Sequence, residues 1–160
     1  KDFPCKVLDT RKTTPGLRTL EKYAVRMGGG TNHRIGLYDA ALVKDNHIEA
    51  TGSIAEAVKA VRRHAPFMAK VEVEAGNLKQ VQEAIDAGAD VIMLDNMNYA
   101  QMAEAVQLVN KRAGVEASGG ITLETIRQVA ETGVDYISSG ALTHSAPVVD
   151  FNMKITMNVG

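Results

Sequence analysis

Short apolar runs alternate along this chain with stretches in which apolar residues recur every three or four positions. The runs predict strands at Lys6–Asp9, Ala40–Lys44, Ala69–Glu74, Val91–Asp95, Val115–Ala117 and Tyr136–Ser139, each ended by polar residues or a glycine. Between them, helical faces are marked by Ile54, Val58 and Val61, by Leu78, Val81 and Ile85, by Ala103, Val106 and Val109, and by Leu123, Ile126 and Val129. Thr51-Gly52-Ser53 and Asn77 stand where N-terminal caps belong, and Ala87-Gly88 and Thr132-Gly133 where helices stop. The later units share one plan of helix, glycine, aspartate, buried strand and polar tip, as in Ala87–Asp95 and Thr132–Gly140.

Repeated β–α units with right-handed crossovers give a parallel sheet that is either closed or doubly wound. Polar tips on nearly every strand favour closure, because barrel sites gather at the C-terminal ends of many strands, whereas an open sheet concentrates its ligand residues at a switch point. The expected fold is therefore α/β, a TIM-like (β/α) barrel of parallel strands, incomplete within one domain spanning residues 1–160.

Composition narrows the function classes. At 160 residues the chain is long enough for one domain with its own core. A net charge of -1 implies no basic face for nucleic acid, and scarce aromatics without Trp argue against a stacking platform. No apolar run approaches the ~18 residues of a membrane span, so neither nucleic acid nor membrane is an expected partner. The single Cys5 has no internal disulfide partner, which fits a reduced, cytoplasmic setting. His33, His47, His64 and His144 lack the spacing of a zinc site, and His47 and His64 read as surface or packing residues.

The chemistry concentrates at the strand tips. Asp9-Thr10-Arg11-Lys12-Thr13-Thr14-Pro15-Gly16 sets cations and hydroxyls between the first strand and a Pro-Gly turn. Thr31-Asn32-His33-Arg34 and Leu42-Val43-Lys44-Asp45-Asn46-His47 follow. Cations at the end of a buried strand are costly unless an anion neutralises them, so these runs read as one site for a small polyanion rather than a solvated loop. Arg11 suits a carboxylate and Lys12 a phosphate; His33 and Arg34 form another anion-binding pair, and the second strand delivers Lys44 and Asn46. Gly28-Gly29-Gly30 reads as a flexible connection, a phosphate cradle being the weaker reading without a following helix.

Alternation along Lys70-Val71-Glu72-Val73-Glu74 places Lys70, Glu72 and Glu74 on one face. Glu72 reads as functional against the alternative of an ion pair with Lys70, and Glu74 is either functional or simply solvated near the tip. Asp95 follows an apolar run, where a carboxylate can meet a metal or a developing cation, a helix cap being the bland alternative. Ala117–Thr122 and Ser138–His144 are glycine turns with hydroxyls, the former leading straight into a helix, a combination suited to a phosphate monoester, with His144 as an extra donor. The layout suits a sugar phosphate reacting with an acidic heterocycle, its central carboxylates stabilising positive charge on a sugar carbon or holding Mg²⁺.

Six motifs in this order, Asp9–Arg18, Asn32–Asp39, Leu42–His47, Val71–Glu74, Met93–Asn96 and Ala117–Thr122, resemble the quinolinate phosphoribosyltransferase family over residues 7 to about 155. The resemblance implies a pentosyltransferase that combines quinolinate and phosphoribosyl pyrophosphate, with Mg²⁺, into nicotinate mononucleotide, pyrophosphate and CO₂ during de novo NAD synthesis. It implies that Arg11, His33 and Arg34 hold the quinolinate carboxylates with Lys12 close by, and that Lys44 lies beside phosphoribosyl pyrophosphate. Glu72 and Asp95 would bind Mg²⁺ or stabilise the ribosyl cation, which with Lys12 and Lys44 makes a catalytic set. The ribose 5-phosphate would fall to Ser118, Gly119, Gly120, Ser139, Gly140 and His144.

The resemblance also implies a homodimer or higher homo-oligomer, and an N-terminal domain that this chain does not include and that completes a neighbour's quinolinate pocket. Lys154–Gly160 reads as the beginning of a further strand. Three alternatives remain open at this point. A phosphoribosyltransferase for another acidic base should lack one of Arg11, His33 and Arg34. A barrel relative associated with molybdenum transport shares the Arg-Lys-Thr-Thr-Pro-Gly opening but is expected to lack Lys44-Asp45-Asn46. The third is a catalytically silent barrel fragment that binds only phosphate or quinolinate.

Overall fold

A computed structural model describes residues 2–156. In chain order the elements are β1 (Lys6–Leu8), α1 (Arg18–Met27), β2 (Ala41–Val43), α2 (Asp45–Thr51), α3 (Ile54–His64), β3 (Val71–Ala75), α4 (Leu78–Asp86), β4 (Val91–Asp95), α5 (Tyr99–Val109), β5 (Gly114–Ser118), α6 (Ile126–Glu131), β6 (Tyr136–Ser138) and α7 (Ala141–His144). The strands form one sheet in the order β1-β6-β5-β4-β3-β2, and every pairing is parallel. Among the described residues β1 and β2 do not pair with each other. Instead Thr31 bridges to β1: its N–H donates to Val7 O at 2.8 Å, and Asp9 N–H donates to its carbonyl at 3.2 Å. The result is the incomplete (β/α) barrel that the strand tips predicted, with an irregular segment standing in the gap.

Register divides each strand between two environments. Leu42 pairs with Glu72, Glu74 with Met93, Met93 with Glu116, and Asp95 with Ser118, so the polar residues share one face. The other face carries Val43, Val71, Val73, Ile92, Leu94, Val115 and Ile137, packed under Ile54, Val58, Val81, Met102, Ala105, Val109 and Val129 of the helices. Burying each of the larger aliphatic side chains contributes about 1.5–3 kcal/mol before entropy is counted. The core therefore lies between sheet and helices, leaving the interior face free for charge.

Local signals behave as the sequence predicts. Ser53 Oγ accepts Glu56 N–H at 3.1 Å, and Asn77 Oδ1 accepts Gln80 N–H at 3.0 Å. Gly88 and Gly133 end their helices at φ 74° and 89°, where a side chain would be strained. The repeated aspartate is a staple: Asp90 Oδ2 accepts Val71 N–H at 2.7 Å and Asp135 Oδ2 accepts Val115 N–H at 2.8 Å, each fixing the start of the neighbouring strand.

Several expectations need correction. The buried face of α5 is Met102, Ala105 and Val109, so Ala103 and Val106 lie to its side. Leu123 precedes α6 and is 89% exposed. Gly28-Gly29-Gly30 is a hydrogen-bonded helix stop, with Gly28 N–H to Ala24 O at 2.9 Å and Gly30 N–H to Val25 O at 2.9 Å, rather than a flexible connection. Residues 154–156 belong to no strand, and the rest of the expected final strand, 157–160, lies outside the described residues.

Candidate active site

The C-terminal ends of the strands surround a cavity of about 370 Å³ lined by Thr10, Arg11, Lys12, His33, Arg34, Leu42, Lys44, Glu74, Met93, Asp95, Glu116, Ser118 and Ser138. Four cations reach it from the β1 tip, the 31–34 segment and the β2 tip: Arg11, Lys12, Arg34 and Lys44. Burial, then the like charge of Arg11, lower the Arg34 pKa, with Glu72 and Asp39 opposing. Arg11 Nε is buried with no hydrogen-bond partner. Two guanidinium groups that repel each other, one with an unmet donor, make a site short of negative charge.

Much of the surrounding polarity is scaffold. Asp9, wholly buried, accepts from Lys22 Nζ, Asn32 Nδ2 and His33 N–H, while Lys22 Nζ also donates to His33 O at 3.1 Å. This knot ties β1, α1 and the 31–33 segment together and fixes His33. Arg18 donates through Nε to Thr13 Oγ1 at 3.0 Å, through Nη2 to Arg11 O at 3.2 Å and through Nη1 to Ile35 O at 3.2 Å. Asn32 and Thr13, expected beside the anion, are thus spent on holding the loops that carry Arg11 and Arg34. Asn46, expected alongside Lys44, sits in α2 outside the cavity wall. His47, expected as surface or packing, accepts Lys44 N–H on Nδ1 at 2.9 Å and so orients the Lys44 backbone.

Beneath the cations lies a buried cluster. His33 Nε2 is 2.9 Å from Glu72 Oε2 and 3.4 Å from Glu116 Oε2, and Arg34 N–H donates to His33 Nδ1 at 2.8 Å. Burial alone lowers the His33 pKa, but hydrogen bonds to Glu116 and Glu72, together with their charges, push it up to about 10. Burial raises Glu72 and the Glu116 charge adds to that, against the pull of His33. Glu72 is therefore committed to His33, neither to Lys70 nor to Asp95. The carboxylates that share the cavity with Asp95 are Glu116, on its floor, and Glu74, whose Oε2 takes Lys44 Nζ at 2.7 Å. Asn98, not Asp95, caps α5, leaving Asp95 with a contact from Asn96 Nδ2 at 3.1 Å to Oδ2.

The glycine turns flank this cavity. Gly119 and Gly120 both have positive φ, 102° and 59°, and a Cβ on Gly119 would lie 2.2 Å from Asn96 Oδ1. The turn does not lead straight into a helix, since Thr122–Thr125 intervene before α6; the sixth tip instead enters α7 directly through Gly140. Gly140 stands close to both His144 and Lys12, leaving no room for a side chain, and the Thr143 hydroxyl donates to Lys12 O at 2.6 Å. Ser139 faces a separate apolar cavity with Val7, Ile121 and Leu142, while Ser138 reaches the site with its Oγ buried and unpartnered. Ser138 and Glu116 were both legible from period-two alternation, Glu116 as a lone carboxylate inside an otherwise apolar strand.

Comparison with known proteins extends the geometry. Residues 1–154 match the family described as quinolinate phosphoribosyl transferase, C-terminal domain. A probable nicotinate-nucleotide pyrophosphorylase (carboxylating) of Bacillus subtilis is 54% identical over 157 residues, covering 98% of this chain and 54% of that protein. A protein of the same description from Synechocystis is 52% identical over 160 residues, with the same coverage. The chain thus spans about half the length of the curated relatives it matches. The crystal structure of NadC from Streptococcus pyogenes superposes with a TM-score of 0.91 at 52% identity, covering 96% of this chain and 54% of the other. Thiamine phosphate pyrophosphorylase from Pyrococcus furiosus, at 17% identity and a TM-score of 0.61, shares the fold alone. No helix among the described residues is long and apolar enough to cross a membrane.

Proposed function

The chain belongs to the quinolinate phosphoribosyltransferase family, and we propose that it carries the chemistry of nicotinate-nucleotide pyrophosphorylase: phosphoribosyl transfer from phosphoribosyl pyrophosphate to quinolinate, with decarboxylation. The observation that carries this reading is the convergence of Arg11, Lys12, Arg34 and Lys44 on one cavity that also contains Glu74 and Asp95. Cations for a dicarboxylate and a polyphosphate thus stand beside carboxylates for a developing sugar cation.

Arg11 and Arg34 take the quinolinate carboxylates, which relieve their mutual repulsion. His33, with both ring nitrogens already engaged, contributes position from below. Lys12 and Lys44 face the phosphates. Mg²⁺ fits Glu74 and Asp95, two carboxylates of the open cavity with oxygens to spare, better than Glu72, which is buried and held by His33. Bound there, the ion would neutralise charge on the departing pyrophosphate. Ser118, Gly119, Gly120, Gly140 and His144, with Ser138 in place of Ser139, form the 5-phosphate side.

As the C1–pyrophosphate bond breaks, cationic charge builds on the ribose, and Glu74 and Asp95 favour it. The quinolinate nitrogen donates its pair to C1. The resulting pyridinium accepts the electrons released when the adjacent C–CO₂⁻ bond breaks, and a proton then takes the place of CO₂.

A homodimer in a reducing, cytoplasmic setting completes the proposal, supported by Leu20, Tyr23 and Met27, which expose one apolar stripe of α1, and by the single Cys5. The experiment is turnover of the full chain with quinolinate, phosphoribosyl pyrophosphate and Mg²⁺, following pyrophosphate and labelled CO₂. Equimolar release of both is expected. Saturable quinolinate binding without either product would favour the silent-fragment alternative, and no binding would overturn the assignment.

A further inference from the structure

The floor of the cavity has the makings of a second cation site. One ligand atom each from His33, Glu72 and Glu116 lies within 4.8 Å of the other two, and Nε2 stands 2.9 and 3.4 Å from the two nearer carboxylate oxygens. Bonds of about 2.0–2.1 Å to one tetrahedral ion set neighbouring ligand atoms about 3.3 Å apart, close to this spacing. The remaining oxygens, Glu72 Oε1 and Glu116 Oε1, are buried without a hydrogen-bond partner on residues 6% and 1% exposed. Such oxygens are expensive unless something positive meets them. Two carboxylates beside one imidazole keep a negative sum even when the ring is protonated, whereas a divalent cation with a neutral ring brings the sum to zero. Among the described residues no lysine or arginine forms a salt bridge with Glu72 or Glu116: Arg34 Nη1 donates to Ala40 O at 3.2 Å and Lys44 pairs with Glu74, although the Arg34 charge still acts on Glu72.

We propose that His33, Glu72 and Glu116 bind a divalent transition cation of the zinc class, at a site below and separate from the Glu74 and Asp95 carboxylates assigned to Mg²⁺. The ligand set sorts the two ions. Imidazole in a buried position suits zinc, while Mg²⁺ keeps its waters and prefers oxygen. A route exists: a cavity of about 200 Å³, lined by His33, Glu72, Glu116, Lys70 and Tyr136, reaches the cluster from the strand starts. Ligation uses the Nε2 lone pair, so the ring's proton moves to Nδ1 and the Arg34 N–H···Nδ1 hydrogen bond is given up.

This inference does not rest on the phosphoribosyl chemistry, and its test needs no turnover. Titration of the metal-free full chain with Zn²⁺ against a chromophoric chelator is expected to show one ion bound per chain. Glu116→Gln and Glu72→Gln should each weaken binding by at least about tenfold, and His64→Ala should leave it unchanged. If either glutamine variant fails to fold by circular dichroism, Co²⁺ substitution of the wild-type chain decides. An intense visible band of low-coordinate Co²⁺, with shifted His33 ring nitrogens by NMR, supports the site, and the faint spectrum of hexa-aquo Co²⁺ overturns it. Absence of Zn²⁺ binding by the wild type, or binding that survives both glutamine variants, also overturns it. Quinolinate titration of the same sample reports on the proposed function separately.

Discussion

Asp9 is wholly buried and Lys22 is 4% exposed, so removing either leaves an uncompensated charge inside the fold. Asp9→Ala or Lys22→Met is expected to destabilise the chain by about 3–5 kcal/mol, and the double variant by less than the sum, measured by urea unfolding. Lys22 did not announce itself, because a lysine within a polar helix looks solvated until the fold turns it inward, and Asp9, read within the anion-binding run, proves to be scaffold. Arg11 was legible for the opposite reason: a cation directly after a buried strand has no structural use. Arg11→Ala should raise the quinolinate dissociation constant roughly 10- to 150-fold, the worth of one or two charge-assisted hydrogen bonds, read by calorimetric titration. In the metal-free chain His33 holds its proton more tightly folded than unfolded, so its contribution is fully present below about pH 6.5 and lost as pH rises through about 10. Glu72, also raised, pushes in the same direction. Melting temperature should therefore fall across that window, and fall less in His33→Asn.

Every strand was readable because each has an apolar face that must meet a helix, and β4 matches its predicted bounds, Val91–Asp95. α1, α2 and α7 were not. In α1 the only buried residue is Lys22, so the usual stripe pointing to a core is missing and its apolar stripe points outward. α2 and α7 span seven and four residues, too short to show a period. The α5 face was read one residue off because Ala103 and Val106 fit the 3.6 rhythm as well as Met102, Ala105 and Val109, and only packing separates them. Glu72 meets His33 rather than lining the cavity with Asp95 for a related reason: alternation gives a side chain's face but not its depth along the strand. Depth belongs to register, which places Glu74 opposite Met93, nearer the rim than Glu72. At the turn after β5, Gly119→Ala sets a methyl against Asn96 at φ 102°. A loss of about 1–3 kcal/mol is expected, with the thermal midpoint as the check.

Across the whole molecule the incomplete barrel was legible from its polar tips, but the Thr31 segment at its open edge was not. Among the described residues the sheet runs from β1 round to β2, and at the open edge Thr31 joins β1 through two backbone hydrogen bonds. No periodic pattern marks such a segment, because it is neither strand nor helix. Mechanically it is a clasp on an otherwise continuous hoop, and the bearing surfaces of the clasp carry the guanidinium groups proposed to hold quinolinate. Arg11 follows β1 and Arg34 follows Thr31, so a single dianion gripping both would act as a pin through the joint. Deuterium uptake at the Thr31 and Asp9 amides should then slow when quinolinate is added, with little change at the amides of β4, far from the clasp. Uptake that slows equally everywhere would mean that the ligand stiffens the hoop as a whole.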